Sequence, residues 1–195
     1  MKKQIIFIIF LAVSFITTNN IRAQEEMQFG AKAGLNFASV SGSNYGGNSF
    51  GNRTAFHIGG FVEIPMFEDF TIQPELLFSS EGAGLSVGLV SVGSDLKLNY
   101  VRVPVMAKYY FLEGLSAELG PVLGVLVSAN DNYKDVLNTF DAQLGIGASY
   151  KFDFGLSAGL RYNIGITNIY DSSEFSGSAP SSKSNVFQIT AGYTF

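Results

Sequence analysis

The chain has 195 residues, no cysteine or tryptophan, one histidine, 18 Phe, 9 Tyr and 22 Gly, with 14% charged residues and a net charge of −4. The length suits one domain, and charge is scarce against the roughly 25% of an ordinary soluble protein. Zero cysteines exclude a disulfide framework, a thiolate zinc site and lipidation through cysteine. The lack of a basic run excludes nucleic acid as a partner. A lone histidine leaves little for a metal or a nucleophile–base pair, so no cofactor is expected.

The first element is "MKKQIIFIIFLAVSFITTNNIRAQEE". Lys2 and Lys3 precede an apolar run from Ile5 to Ile16, and Ala23 is a small residue suited to cleavage, which is the pattern of a secretory signal peptide. The run is shorter than the ~20 apolar residues needed to span a bilayer. The expectation is a signal peptide over 1–23 and one barrel domain over 24–195.

Beyond it, apolar residues recur at period two, the spacing of a strand with two unlike faces. Phe29, Ala31, Ala33, Leu35 and Phe37 share a face opposite Lys32 and Asn36. Phe56, Ile58, Gly60, Val62 and Ile64 oppose His57, Gly59, Phe61 and Glu63. Phe70, Ile72, Pro74, Leu76 and Phe78 face away from Gln73 and Glu75, and Val101, Val103, Val105, Ala107 and Tyr109 away from Arg102, Pro104 and Lys108. The second half repeats the scheme. Leu115 to Val125 alternates against Ser116, Glu118, Gly120 and Gly124. Phe140 to Tyr150 alternates against Asp141, Gln143, Gly145, Gly147 and Ser149, and Leu156 to Ile164 against Ser157, Gly159, Arg161 and Asn163. The eighth strand is the C-terminal "NVFQITAGYTF".

Eight such strands without a helix predict an all-β, eight-stranded antiparallel barrel, and the polar faces decide which kind. They hold Lys32, Glu63, Glu75, Arg102, Lys108, Glu118, Asp141 and Arg161, with glycines and serines between them that leave room inside a narrow barrel. The opposite faces are almost uncharged and mostly large and apolar, a belt no soluble protein would show to water. The barrel is therefore read as transmembrane, apolar outside and polar within. Connections alternate long and short, as external loops and periplasmic turns do, which predicts periplasmic N- and C-termini. Phe29, Phe67, Phe70, Tyr109, Tyr110, Phe111, Phe152, Phe154 and Phe195 fall at the periplasmic level as an interfacial girdle. The last strand must pair with the first, because an open edge cannot face lipid. Tyr193 and Phe195 then form an ending suited to recognition by the bacterial barrel-assembly machinery.

The stretches "FTIQPELLFSSEGAG", "LNYVRVPVMAKYYF", "LSAELGPVLGVL" and "FDAQLGIGASYKF" resemble the strand signatures of the PorT-type outer-membrane β-barrel family, often called porin family proteins. The most specific pieces are Gln73-Pro74-Glu75-Leu76, Pro104 with Lys108, and Gly120-Pro121. The resemblance implies an OmpA/OmpX-like barrel in the outer membrane of a Gram-negative bacterium, with no implied pore activity. Arg102 stands where the family pattern has an acidic residue.

The eight lumenal charges are expected to form one salt-bridged network that closes the barrel; a narrow ion or proton path is the competing reading. His57 faces the lumen by parity, with no serine partner toward lipid, so catalysis is not expected and no catalytic residue is assigned. Asp131, Asn132 and Asp135 in "NDNYKD" are oxygen donors without the glycine and distal Glu of an EF-hand, and no metal site is assigned. Expected partners are outer-membrane lipid, the assembly machinery, and extracellular or periplasmic proteins met through the loops. The functional expectation is an envelope-integrity or interaction scaffold, with a small channel or secretion-accessory barrel as alternative. Loops of this composition name no ligand and no oligomeric state.

Overall fold

The computed structural model describes residues 27–42, 49–51, 53–87, 90–91, 96–129, 138–167 and 182–195. The expected signal peptide and the loop residues Asp131, Asn132 and Asp135 lie outside them.

The strands in chain order are β1 (Gln28–Gly42), β2 (Ser49–Gly51), β3 (Arg53–Phe67), β4 (Phe70–Val87), β5 (Val90–Ser91), β6 (Leu96–Leu112), β7 (Leu115–Ala129), β8 (Phe140–Lys151), β9 (Leu156–Gly165) and β10 (Ser182–Thr194). Eight long strands form a closed antiparallel barrel in the order β1-β3-β4-β6-β7-β8-β9-β10, and β10 returns to β1. Among the described residues the short β2 and β5 pair with the end of β4 away from Phe70. Closure runs from Gly30↔Thr194 to Gly42↔Ser182, and the Phe195 N–H donates to the Phe29 carbonyl at 2.9 Å. The terminal residues are held because their backbone groups complete the ring, which leaves no edge to face lipid. The long strands run from 10 to 18 residues, enough for the ~9–11 tilted residues that cross a bilayer.

Alternation sets the two faces. On β7, Ser116, Glu118, Gly120, Val122 and Gly124 are buried while Ala117, Leu119, Pro121, Leu123 and Val125 are exposed. Large apolar side chains stay exposed around the wall, among them Leu119, Ile146 and Leu160, each about half accessible. Hydrophobic burial in water cannot hold such a surface; lipid covers it.

Short turns gather at one end: Glu68–Asp69, Glu113–Gly114 and Asp153–Gly155. Gly114 (φ 76°) and Gly155 (φ 89°) supply the left-handed backbone that two of these turns require. The strands reach further toward the opposite end than alternation alone indicates. The region read as a loop from about Gly82 belongs to β4 as far as Val87. Tyr110, expected in the outer girdle, instead turns into the lumen and donates to Glu63 Oε1 at 3.3 Å.

Lumenal glycines fit opposite long side chains. Gly124 pairs with Arg102, and a Cβ there would lie 2.6 Å from Arg102 Nη1. Gly147 pairs with both Glu118 and Arg161, and its Cβ would lie 2.8 Å from Glu118 Oε1. Gly30 pairs with Phe61, whose ring occupies the space a Cβ would take. Pro65, Pro74, Pro104 and Pro121 lie in the consecutive strands β3, β4, β6 and β7, and the β4–β6 ladder skips from Pro74↔Val105 to Leu77↔Arg102, where Pro104 has no N–H to give.

Candidate functional site

The lumen is filled by polar side chains that strand position orders into four tiers along the barrel axis. Nearest the turns, Lys108 Nζ lies 3.0 Å from Glu63 Oε1, and Lys151 Nζ lies 2.6 Å from Glu63 Oε2. Lys151 also donates to Gln28 Oε1 at 2.5 Å. The second tier centres on Arg161. Its Nη2 and Nη1 hold the two oxygens of Glu75 at 2.7 and 3.0 Å, and its Nε reaches Glu118 Oε1 at 2.6 Å. Lys32 completes the group, 2.8 Å from Glu75 Oε1. Gln73 joins the two tiers, accepting from Lys108 at 3.1 Å and donating to Glu75 at 2.7 Å.

The third tier is neutral. Asn36 Oδ1 lies 2.7 Å from His57 Nδ1 and accepts from Gln188 at 2.9 Å, while Asn36 Nδ2 donates to Ser79 Oγ at 2.9 Å and Ser80 O at 2.8 Å. With Asn36 so oriented, the His57 Nδ1 carries the proton, and Nε2 accepts from Thr190 Oγ1 at 3.0 Å. Both ring nitrogens are engaged with neutral partners. In the fourth tier, Arg102 holds Glu81 through Nε at 2.5 Å and Nη2 at 2.6 Å, and Asp141 through Nη2 at 2.8 Å.

Of the residues singled out in the sequence, Lys32, Glu75, Glu118 and Arg161 are thus brought into one ionic group and Glu63 and Lys108 into a second. Arg102 and Asp141 stand apart from both, across the neutral tier. Glu81 and Lys151 were missed, yet each is in phase with the polar face of its strand. With them the paired charges balance among the described residues, five bases (Lys32, Arg102, Lys108, Lys151, Arg161) against five acids (Glu63, Glu75, Glu81, Glu118, Asp141). Burial of this many ions is tolerable only with such pairing, since each unpaired ion costs several kcal/mol.

Among the first two tiers lies a small cavity of about 30 Å³, lined by Lys32, Phe61, Gln73, Lys108, Glu118 and Arg161 among others. That accommodates one or two water molecules. At the turn end the lumen widens into an open cup of about 870 Å³, with Gln28, Glu63, Tyr110 and Lys151 in its lining and Glu68, Asp153, Phe154 and Phe195 around it.

A family model for the outer membrane protein beta-barrel domain matches residues 22–171. The chain belongs to this family. Membership places the barrel in the outer membrane of a Gram-negative bacterium. Among solved structures, it is similar to the attachment invasion locus protein Ail of Yersinia pestis in complex with the heparin analogue sucrose octasulfate. Identity is 15%, coverage 88% of this chain and 100% of that one, and the TM-score 0.52. It is also similar to Neisserial surface protein A, at 13% identity, the same 88% and 100% coverage, and a TM-score of 0.51. At these identities the likeness concerns the fold alone. No curated protein matches the chain by sequence.

Proposed function

We propose that this member of the outer membrane barrel family is a closed, non-enzymatic scaffold whose long connections meet partners outside the cell. The observation that carries the closed reading is the second tier. Glu75 on β4 and Arg161 on β9 bridge the lumen between strands that are not neighbours, and the cavity beside Arg161 is only about 30 Å³. An ion crossing here would have to displace paired charges whose separation costs several kcal/mol.

The orientation goes with this reading: short turns and both termini periplasmic, long connections external, as in other barrels with this alternation. Tyr193 and Phe195 are exposed on the outer wall at the closing strand, their rings 5.7 Å apart in an edge contact. That placement supports a role as the assembly signal, since the pair is accessible from the lipid side. Within the family, the PorT-type signatures at Gln73-Pro74-Glu75-Leu76 and Gly120-Pro121 support that subgroup.

The experiment is conductance of refolded protein in a planar bilayer, with folding checked by gel mobility before and after boiling. A silent membrane is the expected result. A steady conductance from folded protein would show that the tiers do not seal the lumen, and the channel reading would replace this one.

A further inference from the structure

We propose that the cup at the turn end is a docking site for an extended, lysine-bearing peptide segment of another protein. Three features converge there. The first is charge. Glu63 is already held by Lys108 and Lys151, which leaves Glu68 and Asp153 as the other acids of the lining, with no further base in it. The adjacent turns add Asp69 and Glu113, and none of the three short turns carries a base.

The second is an unpaired polar group. Thr194 lines the cup, is 8% exposed, and its Oγ1 has no hydrogen-bond partner. A buried hydroxyl left unsatisfied costs about 1–3 kcal/mol, so a ligand that satisfies it gains accordingly. A threonine hydroxyl accepts one hydrogen bond from an ammonium and donates another to a carbonyl. A peptide offers both groups; a polyamine offers only the first.

The third is the wall. Phe152 and Phe154 stack with centroids 5.4 Å apart, and with Phe195 they border the cup where it meets the outer wall. Aromatic faces bordering carboxylates suit an organic cation. The volume of about 870 Å³ lies in the range of ligand sites rather than of a single ion. Among the described residues, no group of three acidic or histidine side chains converges to hold a metal.

That the peptide comes from the periplasm rests on the orientation proposed above; the cup's chemistry does not. The test therefore uses full-length protein refolded in zwitterionic micelles, where orientation plays no part. A fluorescently labelled Gly-Lys-Gly-Lys-Gly peptide is titrated and followed by anisotropy, with the glutamate counterpart and spermidine as comparisons. The lysine peptide should bind saturably, more weakly at higher salt, and the glutamate peptide should not. The double variant Glu68→Gln/Asp153→Asn should weaken binding about fivefold at low salt, as two partly exposed ion pairs would. Both residues sit in exposed turns, so folding should be kept and the gel shift will verify it. Thr194→Val, which keeps the shape and removes the hydroxyl, should weaken binding as well. The proposal falls if the lysine peptide does not saturate, or if the double variant binds as tightly as the parent. It also falls if spermidine displaces the peptide at equal concentration, which would mark the cup as a simple cation sink.

Discussion

Arg161 is the side chain whose loss tests the physics of the lumen most directly. It is 5% exposed and makes three charged hydrogen bonds, two to Glu75 and one to Glu118. In Arg161→Met, Glu75 keeps Lys32 at 2.8 Å and the Gln73 amide at 2.7 Å. Glu118 keeps no ion pair among the described residues, and the tier changes from two bases and two acids to one base and two acids. Breaking a buried pair from one side costs about 3–5 kcal/mol. The double variant Arg161→Met/Glu118→Gln returns the tier to one base and one acid, Lys32 with Glu75, and should recover most of that loss. Stability is read from urea titrations in lipid vesicles, scoring the folded fraction by the mobility shift of unboiled protein. A loss below ~1 kcal/mol for Arg161→Met, or a double variant no more stable than the single one, would show that the stranded carboxylate is not the source of the penalty.

Other consequences follow from the same geometry. Gly124→Val places carbon against Arg102 Nη1, 2.6 Å from the position of the first added atom, and should cost about 1–3 kcal/mol by overpacking. Gly60→Val on the outer wall meets only the Gly30 carbonyl at 3.5 Å and should be far milder in the same titration; equal losses would refute the space argument. Leu160→Arg, half exposed on the outer wall, should cost about 2–4 kcal/mol in vesicles, against about 0–1 for Phe67→Arg at the turn end. His57→Leu strands the Thr190 hydroxyl and one Asn36 contact and should lower stability by about 1–3 kcal/mol. Phe195→Ser should reduce the amount of barrel assembled in cells while leaving folding into vesicles nearly unchanged, measured by membrane fractionation beside in vitro refolding.

Period-two alternation made the barrel and its sidedness legible because it is a local signal: each strand of 10 or more residues carries its own phase. The same phase would have found two residues that were missed. Glu81 is in step with Gln73, Glu75 and Ser79, and Lys151 with Asp141, Gln143 and Ser149. Both went unread where small polar residues ("SSEGAG") or a turn blur the apolar partner face. What alternation cannot carry is who meets whom. Glu75 and Arg161 are 86 positions apart and sit on non-adjacent strands, so their contact depends on register and barrel radius together. Local phase likewise placed Arg102 in the lumen without indicating that a neutral tier of Asn36, His57 and Gln188 separates it from Arg161. That separation has a physical consequence. A carboxylate stranded in one ionic group is separated from the cations of the other by this layer of amides and an imidazole. The groups on either side of the neutral tier should therefore behave as independent units, and substitutions at Arg102 and Arg161 should add in their effects on stability.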